Sequence, residues 1–361
     1  MATSLRFGWF IPTSGDTTRL GQHPTEIPAG PEHFVAVAQA AEAAGFSYLL
    51  VPVQTACWDA YVTCSFVAAR TERIAFLLAA RPGFVAPTVM AKMISTFDNL
   101  SGGRVMVNLI AGGGAAELAA DGLYLGHDDR YALMDECVEV MKQVWTAARP
   151  VDFEGRHIKV TGAKVLPRPL QQPHPPFYLG GNSPAAQAVS VRHSDVHLFW
   201  GDHPLRIAAQ VKALTAQAVA AGRSGERALR FGMRLQIICR ESEAAAWEAA
   251  EALVAGATPT ARTRIRNLWE QSTIQARQQE LADADSLQVE GHPHLWSGIG
   301  RLRPGAGVAV VGDPDQVAAT LEEFVAAGCS DFCLSGYRHD EEAVRFGRDV
   351  LPHFASRTRL S

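Results

Sequence analysis

Arg234 is the residue of this sequence whose type and position point most clearly to chemistry. It lies in the run from Phe231 to Ile238, whose period-two alternation places Arg234 and Gln236 on one face of a strand. A guanidinium that points into an apolar interior must find an anion, because burial of an unpaired charge is costly. The pattern therefore predicts either a site for an anionic ligand or an internal ion pair with a neighbouring Asp or Glu.

Polar groups at two further places could serve the same site. Arg303 lies in a Gly-rich stretch and is either a second anion-binding group or an ordinary solvated loop arginine. The last apolar run is followed by Tyr337 and His339, a phenol and an imidazole that can donate a hydrogen bond or move a proton near neutral pH. We expect the phenol and the imidazole to lie at one rim.

Glycine-rich turns mark two candidate ligand contacts. The turn Gly180-Gly181-Asn182-Ser183-Pro184 places backbone N–H groups and the Ser183 hydroxyl at a helix N-terminus, which favours a bound phosphate. The same residues are also typical of ordinary helix capping. Asn108 precedes Ala111-Gly112-Gly113-Gly114, where the absence of side chains favours either the close approach of a flat ligand or a flexible loop.

These residues need a scaffold that brings them to one edge. The recurring unit is a short apolar run, a polar loop and an amphipathic helix ending in Ala-Gly, which is typical of parallel βα repeats. Strands are predicted at about 5–11, 48–51, 74–79, 104–109, 175–179, 195–199, 231–239 and 331–335. Helices are predicted at about 58–69, 88–100, 130–147, 184–191, 204–221 and 242–256, with one more ending at Gly45 and another beginning at Asp313. Eight repeats predict an α/β fold, a closed TIM (β/α)8 barrel with its active site at the carboxyl ends of the strands.

Three stretches do not fit the repeat. We predict one barrel domain over residues 1–361, with insertions at about 110–127, 148–174 and 257–305. The second insertion contains a small hairpin. The third is polar and Arg-rich, and it is either a mobile lid or an insertion that contacts another subunit.

Composition limits the classes of partner. Lys and Arg total 33 against 37 Asp and Glu, and the net charge of -4 offers no field for a polyanion, which excludes nucleic acid as the expected partner. The six cysteines form no C-x-x-C pair, which argues against a metal site and favours reduced thiols in the cytoplasm. The apolar run from Phe7 to Ile11 is too short for a signal peptide or a membrane span. We therefore expect a cytoplasmic protein without a membrane partner.

Several motifs in the same order make the sequence recognisable. The chain resembles the flavin-dependent alkanesulfonate monooxygenases, of the bacterial-luciferase-like class, over almost its whole length. The motifs that carry the resemblance are Trp9-Phe10-Ile11-Pro12-Thr13, Leu100-Ser101-Gly102-Gly103-Arg104, Pro176-Phe177-Tyr178-Leu179-Gly180-Gly181, Ala306-Gly307-Val308-Ala309-Val310-Val311-Gly312-Asp313 and Leu334-Ser335-Gly336-Tyr337. The resemblance implies a luciferase-like TIM barrel with a mobile lid before the final βα unit.

The resemblance also implies an activity. Members of that family take reduced FMN from a separate NAD(P)H:FMN reductase, use dioxygen as co-substrate, and split a carbon–sulfur bond to release sulfite and an aldehyde. Homo-oligomers are common among them, so a homo-oligomer is expected here.

Position by position, the resemblance assigns two sets of residues. The implied catalytic set is Cys57, Trp200, Arg234, Gln236, Arg303, Tyr337 and His339. The implied FMN contacts are Thr13, Ala79, Asn108, Tyr131, Gly181, Asn182 and Ser183, the phosphate lying near the last four.

Two departures affect the expected substrate. Gln236 stands where the family has a His, and a neutral amide cannot carry charge or relay a proton. Trp58 stands where the family usually has an acidic residue beside its Cys. The alternatives are therefore a luciferase-like monooxygenase with a different substrate, a deazaflavin-dependent oxidoreductase, or a flavin-binding protein without turnover.

Overall fold

The chain folds around parallel strands. The computed structural model describes residues 4–21, 25–256, 258, 263, 265 and 272–358. Its strands, in chain order, are β1 (Arg6–Phe10), β2 (Tyr48–Val51), β3 (Ala75–Ala80), β4 (Val105–Leu109), β5 (Val151–Glu154), β6 (Lys159–Ala163), β7 (Phe177–Gly180), β8 (Val196–Trp200), β9 (Arg230–Cys239), β10 (Gln288–Val289), β11 (His292–Trp296), β12 (Ala309–Gly312) and β13 (Asp331–Ser335). Each of the eight predicted strands has a counterpart here, within one or two residues at most ends.

Eight of these strands close into a barrel. The parallel pairs run β1–β2, β2–β3, β3–β4, β4–β7, β7–β8, β8–β9, β9–β13 and β13–β1, which returns to the first strand. Their sequences are nearly continuous apolar runs because both faces of a parallel sheet are covered. The predicted α/β TIM-barrel class is confirmed.

Most of the described helices cover the outside of the barrel. They are α1 (Pro31–Ala44), α2 (Ala60–Ala68), α3 (Pro87–Leu100), α4 (Ala115–Ala120), α5 (His127–Thr146), α6 (Pro184–His193), α7 (Pro204–Ala220), α8 (Glu243–Val254), α9 (Thr273–Asp283), α10 (Pro314–Ala326) and α11 (His339–Asp349). Their ends follow local signals: Gly45 ends α1 in a left-handed conformation, with φ of 94°, and Asp313 and Gln316 form the expected capping box of α10.

Large side chains fill the barrel interior below the carboxyl ends of the strands. Phe10, Tyr48, Leu77, Met106 and Tyr178 belong to one buried cluster, formed by residues of the barrel strands. The Tyr48 ring explains why residue 8 is glycine, since a Cβ there would lie 2.1 Å from a ring carbon of Tyr48. The base of the barrel is therefore closed, and ligands must enter at the other end.

The insertions have structure of their own. The segment 148–174 holds the expected hairpin, formed by antiparallel β5 and β6. In the predicted lid, 257–305, the positions 257, 259–262, 264 and 266–271 lie outside the described residues, and the remainder forms α9 and the β10–β11 hairpin. The sequence patterns did not predict strand β12, which follows the predicted lid. It pairs with the last four residues of β9, a part of β9 that extends past the residues paired with β8.

In the part of the chain that the structure describes, no helix combines the length and apolar character needed to cross a membrane.

Candidate active site

A cavity of about 220 Å³ opens at the carboxyl ends of the barrel strands. Seven predicted site residues lie in its wall: Ala79, Asn108, Tyr131, Gly181, Trp200, Arg234 and Arg303. The other seven lie around this wall rather than in it: Thr13, Cys57, Asn182, Ser183, Gln236, Tyr337 and His339. The strand ends thus bring residues from positions 79 to 303 to one cavity.

Arg234 is buried at the cavity without an acidic partner. Its guanidinium donates to the backbone oxygens of Leu235 and Cys333, at 2.8 and 3.3 Å, and to the Ser335 hydroxyl at 2.8 Å. No carboxylate of the described residues forms an ion pair with it, so the expected alternative of an internal ion pair is not found there. Burial and the nearby Arg303 lower the pKa of Arg234. The group keeps its charge at neutral pH, because guanidinium is a very weak acid.

Arg303 is a cavity group and not a solvated loop arginine. Its guanidinium carbon lies 5.5 Å from the centre of the Phe10 ring, and that of Arg234 lies 5.0 Å from the same ring. The aromatic ring offers a favourable contact to both cations without neutralising either. Two positive charges therefore stand beside one apolar ring in the cavity wall.

Gln236 lies behind the cavity wall. Its side-chain oxygen accepts from the Ser335 hydroxyl at 2.6 Å, and its amide nitrogen donates to the Ala306 oxygen at 3.2 Å. The Ala306 oxygen also accepts from Arg303 at 3.3 Å. A chain of hydrogen bonds thus runs from Arg234 through Ser335 and Gln236 to Arg303. Gln236 is fully buried and its amide bonds to Ser335 and Ala306, and contact of this position with substrate stays a prediction.

Trp58 also lies outside the cavity wall. Its side chain is half exposed and packs edge-on against Phe34 of α1, with ring centres 5.2 Å apart. This departure from the family pattern therefore lies away from the cavity wall.

Cys57 is a protonated thiol at neutral pH. Burial raises its pKa, and the opposing effects of Thr13 and Arg303 are smaller. A thiol of this kind is a polar contact and a poor nucleophile, since the thiolate is the reactive form.

Tyr337 and His339 stand side by side, their ring centres 5.3 Å apart. The His339 ring nitrogen Nδ1 lies 2.8 Å from one oxygen of Asp16, and the backbone N–H of His339 donates to the other oxygen at 2.8 Å. His33 approaches the same carboxylate at 3.2 Å. Burial would raise the pKa of Asp16, but the two imidazoles hold it well below its usual range. Asp16 is therefore a buried carboxylate that orients His339.

The turn after β7 caps helix α6 and holds a buried polar atom beside the cavity. Ser183 is the N-cap of α6, its hydroxyl accepting from the Ala186 N–H at 3.2 Å, as the capping alternative predicted. Gly181 has φ of 139°, and a Cβ there would lie 2.8 Å from the Ala186 Cβ and 3.2 Å from the Tyr131 hydroxyl. The side-chain oxygen of Asn182 is buried without a hydrogen-bond partner in the described part of the chain. The turn therefore packs closely against α6 and leaves an unused polar group beside the cavity.

The comparisons with known proteins bear on this site. The family model of the luciferase-like monooxygenases matches residues 5–331. The chain belongs to the luciferase-like monooxygenase family. The alkanesulfonate branch of the resemblance stays a prediction.

Solved structures of similar fold act on unrelated substrates. A riboflavin lyase, crystallised with modified FMN and its substrate riboflavin, is 19% identical over 98% of this chain and 92% of its own, with a TM-score of 0.79. The EDTA monooxygenase of Chelativorans sp. BNC1 is 19% identical over 98% and 94%, with a TM-score of 0.77. The coenzyme F420 dependent tetrahydromethanopterin reductase of Methanopyrus kandleri is 21% identical over 98% and 100%, with a TM-score of 0.71. At these identities the likeness shows the fold alone.

The sequence patterns did not predict one charged cluster of this luciferase-like barrel. Arg81, directly after β3, lines the cavity and pairs with Glu117 at 2.7 Å and with Asp121 at 3.2 Å. Glu117 also accepts from the Thr55 N–H at 2.9 Å, which ties α4 to the loop that carries Cys57. An arginine immediately after the apolar run Ala75–Ala80 was the signal that could have found it.

Other missed groups gave no such signal. Phe10, Asp16 and Ser335 contact predicted site residues, yet an aromatic, an acid and a serine at strand ends are ordinary in any barrel.

Proposed function

We propose that this chain is a reduced-FMN-dependent monooxygenase that cleaves the carbon–sulfur bond of an alkanesulfonate or related organosulfur compound, giving sulfite and an aldehyde. Dioxygen is the co-substrate, a separate NAD(P)H:FMN reductase supplies the reduced flavin, and the enzyme acts in the cytoplasm as a homo-oligomer. The observation that carries the proposal is the pair Arg234 and Arg303 beside Phe10, two cavity cations that no carboxylate of the described residues neutralises.

The residues present fit FMN. A flavin needs a slot for a flat ring and a polar site for its phosphate and ribityl chain. Ala79 and Asn108 line the cavity and offer little steric bulk, which suits the ring. The N-terminus of α6 suits the phosphate, because its backbone N–H groups attract an anion, and the side-chain oxygen of Asn182, which has no partner among the described residues, can accept a hydrogen bond from a ribityl hydroxyl. When bound, the reduced flavin supplies the electrons that activate dioxygen.

The protein's own groups bind and orient the substrate. Arg234 and Arg303 bind the sulfonate, and the Ser335 hydroxyl holds the Arg234 guanidinium in place. Trp200 and Leu198 line the cavity and suit the alkyl chain. His339, oriented by Asp16, and Tyr337 are the groups that can move a proton at this rim.

The proposal is tested by anaerobic titration with reduced FMN, followed by a pulse of oxygen and measurement of sulfite over a panel of alkanesulfonates. Sulfite released in proportion to oxygen consumed is the expected result. Tight flavin binding with no sulfite from any sulfonate would favour a different substrate. Absence of flavin binding would contradict the whole proposal.

A deazaflavin-dependent oxidoreductase is the second candidate. The observation in its favour is the F420-dependent reductase among the structures of similar fold. That activity consumes no oxygen, so the oxygen trace of the same titration, repeated with reduced F420, separates the two candidates.

A further inference from the structure

Helix α9 in the lid insertion presents three glutamines to the loop that carries Arg303. The side-chain oxygen of Gln275 accepts from the Gly305 N–H at 2.8 Å, and that of Gln278 accepts from the Gly307 N–H at 2.9 Å. Gln279 donates to the Gly300 oxygen at 3.2 Å. Gln275 and Gln278 are each only 2% exposed, so these contacts are made inside the protein.

Gln278 also reaches the barrel. Its amide nitrogen donates to the Gly201 oxygen at 2.8 Å, and the Gly201 N–H donates in turn to the backbone oxygen of Arg234 at 3.2 Å. A single neutral side chain thus joins the loop of Arg303 to the strand end beside Arg234. Gly201 directly follows Trp200, so the aromatic wall of the cavity belongs to the same connection.

Arg303 has little to hold it in place by itself. Among the described residues its guanidinium makes one hydrogen bond, to the Ala306 oxygen of its own loop, besides the contact with Phe10. The loop is packed backbone against backbone, since a Cβ on Gly307 would lie 2.6 Å from the Gly300 Cα. The position of the Arg303 guanidinium therefore follows the position of the loop, and helix α9 sets the latter.

We propose that Gln278, with Gln275, is a positioning residue for Arg303: it fixes the separation of the two cavity guanidiniums and thereby selects a compact anionic head group. The inference rests on the proposed function for the identity of that head group. An amide suits the task because it donates to one backbone group and accepts from another without adding charge beside the arginines.

The test replaces the amide and compares two ligands. Gln278→Met keeps length and apolar volume but removes both hydrogen bonds. We expect the Kd of 1-octanesulfonate, measured anaerobically by calorimetry with reduced FMN present, to rise at least tenfold, while the Kd of reduced FMN stays within twofold. Amide hydrogen exchange should become faster over residues 304–307. Gln217→Met, the same change at an exposed position of α7, should alter none of these values.

A double variant separates positioning from general loosening. Gln278→Met combined with Arg303→Ala should bind octanesulfonate no more weakly than Arg303→Ala alone, because the amide acts through that arginine. Additive losses, equal weakening of both ligands, or unchanged octanesulfonate binding would each overturn the inference. If Gln278→Met does not fold, Gln275→Met, which breaks only the bond to Gly305, takes its place in every comparison.

Failure of the proposed function gives a different result. If the wild-type protein binds no sulfonate, the substrate class is wrong and hydrogen exchange alone decides the positioning role. Faster exchange over 304–307 in Gln278→Met then supports that role, and unchanged exchange overturns it.

Discussion

Two groups of arginines, one at each end of the barrel, differ in whether a carboxylate neutralises them. At the amino end, Arg230 pairs with Asp331 at 3.1 Å, and Tyr178 and Ser330 donate to the same carboxylate at 2.9 and 3.0 Å. At the carboxyl end, Arg234 and Arg303 have hydrogen bonds and an aromatic neighbour but no carboxylate among the described residues. Charge that the chain neutralises itself serves the fold, whereas charge left without a counter-ion is available to a ligand.

Removal of the cavity cation Arg303 is expected to have the largest effect. Arg303→Ala should lower kcat/KM for an alkanesulfonate about 100-fold or more, because a preorganised cation at a buried anion is lost. Sulfite release measured with reduced FMN and oxygen checks this, with Arg73→Ala, an exposed arginine away from the cavity, as the matched control. Full sulfite yield in Arg303→Ala would mean that this arginine does not contribute to turnover of the sulfonate.

The same substitution at the two ends should affect stability differently. Arg230→Met leaves the fully buried Asp331 without its counter-ion and should cost about 2 to 3 kcal/mol, below the usual range because Arg230 is 41% exposed. Arg234→Met removes a buried cation that has no carboxylate partner and should change the free energy of unfolding by less than about 1 kcal/mol, while anion binding is lost. Urea unfolding of both variants checks the difference, and equal losses would break the comparison.

The loss of stability at acid pH should test the role of Asp16 as a buried, paired carboxylate. Its folded-state pKa lies well below its value in the unfolded chain, about 3.9. The carboxylate therefore contributes stability that is fully present above about pH 4 and is lost as the pH falls further. Asp16→Asn should be less stable than wild type at pH 7 and should lose less on acidification. Urea midpoints between pH 7 and pH 2.5 measure both, with the exposed Asp315→Asn as control; parallel acid curves for Asp16→Asn and wild type would contradict the assignment.

Restoring the family pattern is expected to have the smallest effect. In Gln236→His the imidazole can keep one donor and one acceptor toward Ala306 and Ser335, and in its protonated form it adds charge near the arginines. Sulfonate turnover should rise a few-fold, more at pH 6 than at pH 8. If sulfite assays show no gain at either pH, charge at position 236 does not govern the choice of head group.

Local patterns were enough to predict the barrel. The apolar runs, their spacing, Gly45 at the end of α1 and the Asp313–Gln316 capping box are all features that act over a few residues. Strand β12 was missed because the Val308–Gly312 run pairs with β9 only after the lid insertion, which no local periodicity reveals.

The candidate site was predicted in part. Strand alternation placed Arg234 on the inner face, and the resemblance supplied the remaining residues as predictions. Asp16 could not be assigned, because it meets His339 across 323 positions of the chain. The surroundings of Gln236 were equally hidden, since Ser335 and Ala306 come from different elements.

By itself, then, the sequence determined which residues alternate, where helices begin and end, and which polar groups stand at strand ends, since these depend on neighbours within a few positions. Only the tertiary structure decided which buried charges are neutralised. That outcome depends on which side chains, distant in the chain, come within hydrogen-bond distance when the barrel closes. Asp331 comes within that distance of Arg230, whereas no described carboxylate does so for Arg234.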